Sequence, residues 1–139
     1  MSTSISMQQA VDDMSKIIND VNPCKLYWES VKGDDSSLNS DDPWASVTIR
    51  HAGANQASLG GIGNRSFLRN GTLIIAIFSP IGNGLQSGYE IARLSATAYE
   101  GATSPNGVWF RNVRIQEIGR DGEYMQINVL ADFEYYETK

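Results

Sequence analysis

The sequence predicts an α+β domain, a mostly antiparallel sheet of four or more strands packed with two helices. Three observations carry this. Hydrophobic spacing is helical over residues 4–21 and again over 85–99. It switches to period two over 44–50 and 123–136, with the apolar run Leu73 to Phe78 between them. At 139 residues and 41% hydrophobic composition, the chain suits one domain, residues 1–139, able to bury a core without disulfides.

In the first helix Met7, Val11, Met14 and Ile18 form a stripe, with Ile17 and Val21 beside it. Asp12, Asp13, Lys16 and Asp20 take the other side. Ser4 or Ser6 supplies the cap, and Pro23 closes the helix from outside. Residues 22–43 read as an acidic flexible linker around a short apolar knot, Leu26-Tyr27-Trp28. Asp34, Asp35, Asp41 and Asp42 offer oxygen ligands, but their spacing is not that of a calcium loop and no bidentate Glu follows. They read as a solvated acidic surface.

Residues 44–139 form the α+β core. Ala45, Val47 and Ile49 alternate with Ser46, Thr48 and Arg50, a half-buried strand. His51 to Asn64, with four Gly and two Asn, reads as a long loop, and loops of that length tend to carry function. Arg65 to Ser79 is strand again, interrupted by Asn70-Gly71, which signals either a hairpin or a bulge within one strand. Its six apolar residues suggest a central strand covered on both faces, ended by Pro80. Leu85, Tyr89, Ala92, Ala96 and Tyr99 form the second helical row, with Ile91, Leu94 and Ala98 beside it, and Gly101 supplies the C-cap region. Val108 to Ile118 and Glu123 to Tyr136 are two strands joined by the turn Gly119 to Gly122.

Composition excludes several functions. No apolar run approaches the length of a membrane span, and the first residues lack the basic and apolar regions of a secretory signal. One cysteine and one histidine leave no disulfide framework and no thiolate–imidazole metal centre. The expectation is a soluble domain of a reducing compartment with no cofactor. Residues 1–43 hold eight acids and three bases, and residues 44–139 hold eight of each, so the net charge of −5 belongs to the N-terminal third. An acidic chain does not make nucleic-acid binding its main task, although a repelling wall suits a conduit that DNA passes through.

No motif completes a catalytic set. Gly82-x-Gly84-x-x-x-Gly88 follows a strand and opens a helix, a place where phosphate could sit, but it matches neither the dinucleotide fingerprint nor the P-loop. Cys24 with His51 would need a third, orienting group, and no residue is marked for it. Two glycosylation patterns, at Asn64 and Asn70, read as accidental. Arg65 and Arg69 flank Phe67, and Arg111 and Arg114 lie near Trp109 and Phe110. Arginine mixed with aromatics suits a single-stranded nucleic-acid platform or a protein interface, and the acidic balance favours the interface.

The stretch from Trp44 to Tyr136 resembles the tail terminator family of long-tailed, siphovirus-like bacteriophages. The features that carry this are Gln56-Ala57-Ser58-Leu59-Gly60, the strand Arg69 to Ser79 ending Phe78-Ser79-Pro80, then Gly82 and Gly84, the helix ending Tyr99-Glu100-Gly101, Val108-Trp109-Phe110, and Phe133 to Glu137. The resemblance implies a structural virion protein with no enzymatic activity. It would form a ring, expected to be a hexamer, that caps the tail tube, stops its growth and joins it to the head connector. Its implied partners are copies of itself, the tube protein and the connector or stopper, with genomic DNA passing through unbound. Its implied places are the virion neck and, during assembly, the host cytoplasm. It further implies that Arg69 to Ser79 is one strand with a bulge at Gly71. Gln56, Ala57, Ser58, Leu59, Gly60, Arg65, Arg69 and Arg111 are the expected interaction residues. Another neck or tube protein, or a small ligand-binding domain using the Gly82–Gly84 loop, are the alternative readings.

Overall fold

The computed structural model describes residues 6–28, 43–56, 66–81, 86–122 and 124–138. The elements are α1 (Met7–Val21), β1 (Lys25–Trp28), β2 (Trp44–Gln56), β3 (Ser66–Pro80), α2 (Gln86–Tyr99), β4 (Trp109–Asp121) and β5 (Tyr124–Thr138). The strands form one mixed sheet in the order β1-β2-β3-β5-β4. β1 runs parallel to β2, and the other pairings are antiparallel. The class is α+β, with β3 at the centre as expected.

Ser6 is the cap of α1. Its hydroxyl accepts the Gln9 N–H at 3.2 Å, and the Gln9 side chain accepts the Ser6 N–H at 2.9 Å, a complete capping box. Asn22, at φ 46°, ends the helix in the left-handed region, and Pro23 follows. Ala10, Met14 and Ile18 are buried, whereas Met7 is 52% exposed. Beyond α1, the expected linker contains a strand. Leu26 and its neighbours pair with Ala45 to Val47 through β1, whose four residues are too few to announce a period.

β2 is longer than expected. His51 to Gln56 continue the ladder against Gly71 to Phe67, although Gly, Ala and Asn are poor strand formers; pairing with β3 overrides local preference. β3 runs unbroken through Asn70-Gly71, so the hairpin does not form. The irregularity sits in β2 instead, where Ala52 is the extra residue between His51, paired with Gly71, and Gly53, paired with Asn70. A Cβ on Gly71 would stand 2.1 Å from the Arg50 carbonyl oxygen and 2.6 Å from Phe133 Cζ. Close approach of strands is therefore the reason for this glycine.

Burial alternates along β3. Gly71, Leu73, Ile75, Ile77 and Ser79 are buried, while Ile74, Ala76 and Phe78 are half-buried. Among the described residues the core fills one face and the other is half-buried, so the equal cover expected on the two faces is not observed. On the core face the odd-numbered residues meet Ala45 and Val47 of β2 and Ile127 to Tyr135 of β5, under Met14, Ile18, Ile91, Ala92 and Tyr99 of the helices. In α2 the buried side is Gly88, Ile91, Ala92, Ser95, Ala96 and Tyr99, and the expected core residues Tyr89 and Leu94 are 43% and 40% exposed. Tyr99 donates to the Met14 carbonyl at 2.8 Å and ties the helices together. The Asp13 carboxylate accepts from the Ser104 hydroxyl at 2.7 Å and from the Asn106 backbone and side chain at 3.0 and 2.9 Å.

Candidate interaction site

The antiparallel register brings distant residues to one end of the sheet, where β2 meets β3. Gln56 pairs with Phe67 there, and Arg69 pairs with Tyr135. Arg111, 42 positions beyond Arg69 in the chain, arrives at the same end on β4, paired with Asp132. Ala57, Ser58, Leu59, Gly60 and Arg65 lie outside the described residues, as do Asp34, Asp35, Asp41 and Asp42 and the Gly82–Gly84 loop.

On the helix-bearing face this end forms an open concavity of about 580 Å³, bordered by Met7, His51, Ala52, Gly53, Arg69, Tyr135 and Glu137. Arg69 directs Nη2 and Nε at Glu137 Oε1, at 2.8 and 3.2 Å, and its guanidinium lies 5.5 Å from the Phe67 ring centre. His51 Nε2 and the Tyr135 hydroxyl are 2.7 Å apart, and the imidazole stands edge-on to Phe133 and Tyr135. Burial and then the Arg69 charge hold His51 below its ordinary value, against the opposing pull of Glu137. Burial, reinforced by Glu137, pushes Tyr135 up. Tyr135 therefore stays protonated and can donate to a neutral imidazole.

The opposite face carries a second charged set. Arg111, 65% exposed, is ion-paired with Glu134, only 8% exposed. Asp132 accepts from Thr72 at 3.1 Å, from Asn112 at 3.1 Å and from Arg114 at 3.4 Å. Burial pushes Asp132 up, but these hydrogen bonds and the Arg114 charge outweigh it and hold the carboxyl low. Thr72, Arg111, Asp132 and Glu134 border a smaller hollow of about 210 Å³.

Among the described residues, Arg69, Arg111, Arg114, Asp132, Glu134 and Glu137 are thus engaged within the molecule. Sequence reasoning singled out Arg69 and Arg111 but missed their partners Glu137 and Glu134 and the His51–Tyr135 contact. The signal that could have found them is the alternation of β5, which sends Phe133, Tyr135 and Glu137 to one face and Asp132 and Glu134 to the other. Cys24 and His51 are not brought together. Lys25 aligns with Trp44, seven residues before His51, a separation of roughly 23 Å along an extended strand. Burial also pushes the Cys24 thiol up to about 11, which disfavours a thiolate.

At the other end of the sheet Trp44 stacks on Phe78 at 4.3 Å and meets Tyr27 and Tyr124 edge-on. Among the described residues no helix is long and apolar enough to cross a membrane. No family model matches the chain, and no curated protein matches it. A solved structure whose name states no activity is similar to it, with a TM-score of 0.67 and 15% identity over 94% of this chain and 96% of the other. At that identity the likeness concerns the fold alone.

Proposed function

We propose that this chain is a tail terminator, a structural virion protein whose copies close into a ring, hexameric in the resembling family. The ring caps the tail tube and presents its other side to the head connector, and DNA passes through without being held. The observation that supports this most is the unbroken strand Ser66–Pro80 followed by α2. Local sequence favours a hairpin at Asn70-Gly71, whereas the resemblance to terminators implies the continuous strand. A second support is the self-paired chemistry of this end of the sheet: Arg69, Arg111, His51 and Asp132 all have partners in their own chain. Such groups shape a docking surface more readily than they attack a substrate.

Native mass spectrometry and negative-stain microscopy of the full chain, alone and with tube protein, test the reading. A closed ring, or a cap that halts tube growth, is expected. A monomer that never engages tubes overturns it, and open stacks of the pure protein point to a tube subunit instead. Deleting residues 57–61, which follow the paired length of β2, is expected to leave the core folded and the tails unjoined to heads.

A further inference from the structure

The sheet face turned away from the helices carries the Trp44 aromatic patch. Trp44 and Phe78 are a cross-strand pair, Tyr27 aligns with Ser46 beside them, and Tyr124 stands opposite Pro80. The even-numbered residues of β3 share this side, whereas the odd-numbered ones enter the core under α1 and α2. The patch is nevertheless shielded. The Tyr27 hydroxyl and the Trp44 indole N–H are both buried, and neither has a hydrogen-bond partner among the described residues. A hydroxyl at the tip of a tyrosine rising from a bare sheet would stand in water. Both groups can donate, so the cover they call for is one that brings acceptors.

Topology says which part of the chain passes over this face. Two connections join parallel strands. β3 and β4 are both antiparallel to β5, so they run parallel to each other, and α2 joins them past β5. β1 and β2 are parallel, and residues 29–43 join them. Both connections step the same way through the order β1-β2-β3-β5-β4. The strands they join point in opposite directions, because β2 is antiparallel to β3. Connections between parallel strands of one sheet are right-handed in about 98% of cases. Two right-handed connections that step the same way between oppositely directed strands pass over opposite faces. α2 occupies the core face, which leaves the aromatic face to residues 29–43.

The chemistry of this segment matches what it would cover. It departs one residue after Tyr27 and returns at Trp44, which meet edge-on in the patch. It holds the apolar side chains Val31 and Leu38 among five carboxylates and four serines. The apolar pair suits the rings, and the oxygens suit the two donors.

We infer that the aromatic face of the sheet is the seat of residues 29–43, whose apolar side chains cover the Trp44 rings and whose acceptors take the hydrogen bonds of Tyr27 and Trp44. The side of the molecule opposite the helices then presents carboxylates to its neighbours, and the rings are kept from them. This holds whether or not copies close into a ring.

Photo-crosslinking of the full chain tests this, with p-benzoylphenylalanine in place of Leu38 and the products mapped by mass spectrometry. Cross-links within one chain to Tyr27, Trp44, Phe78, Tyr124 or the even-numbered residues of β3 are expected. Cross-links to α1 or α2, or none at all, overturn the placement. A cross-linked dimer overturns it too, because a second copy is then the cover. Exchange of the Trp44 indole proton with water, followed by NMR, gives a second measurement. Val31→Ser combined with Leu38→Ser should speed that exchange about tenfold or more, because a cover without its apolar anchors opens more often. The backbone amides of β3 should stay protected in this variant and report an intact fold. Equal indole exchange in the variant and the unaltered chain rules the seat out.

Discussion

Gly71 has no room for a side chain, because its Cβ position collides with the Arg50 carbonyl and with the buried Phe133 ring, neither of which can turn away. Gly71→Ala is expected to cost about 3 kcal/mol or more, read from urea unfolding. His51, the cross-strand partner of Gly71, carries a different prediction. Its folded value lies below the ordinary one of about 6.5, so the unfolded chain binds its proton first as pH falls. The stability it contributes is complete above that value and declines as pH drops toward the lower folded value. Urea midpoints should fall in that window, and His51→Gln should flatten the slope. A separate loss below about pH 4 belongs to Asp132, whose carboxyl is also held low in the fold. Cys24, half-buried and pushed up to about 11, should react with a disulfide reagent at pH 8 at least tenfold more slowly than in urea.

The elements show where sequence signals are strong and where they fade. α1, α2 and the ends of β5 follow from spacing and caps, because a helix reports its buried face through neighbours three and four residues away. β1 and the outer half of β2 do not, since a strand is held by partners that are remote in the chain. The same limit hid the pairs Arg69–Glu137 and Arg111–Glu134, whose members were visible but whose register was not. The reading of Tyr89 and Leu94 as core residues failed because α2 turns Gly88 and Ser95 toward the sheet, where small side chains let the helix come close. Asp13 fastens α1 to the turn after α2 by three hydrogen bonds. Asp13→Ala should cost about 2 kcal/mol in thermal or urea unfolding, with the melting of α1 seen first.

For the whole molecule, the bulged β4 edge and the uneven charge along the sequence suit a protein that acts by contact with neighbours. The direction of β1 adds a constraint of its own. A strand laid parallel to the next one obliges the chain to travel back before it can start again, and such crossovers take a dozen or more residues. The connection between Trp28 and Trp44 spans residues 29–43, fifteen in all, only slightly above that minimum. Its tolerance to change should therefore be lopsided. Doubling its length adds only about 0.6 kcal/mol of closure entropy, so an inserted epitope tag is harmless. Trimming five residues should pull β1 off the sheet, and the fluorescence of Trp28 and Trp44 would report the exposure. Replacing its aspartates while keeping the residue count should leave β1 in place, because here the sheet demands reach and is indifferent to which side chains provide it.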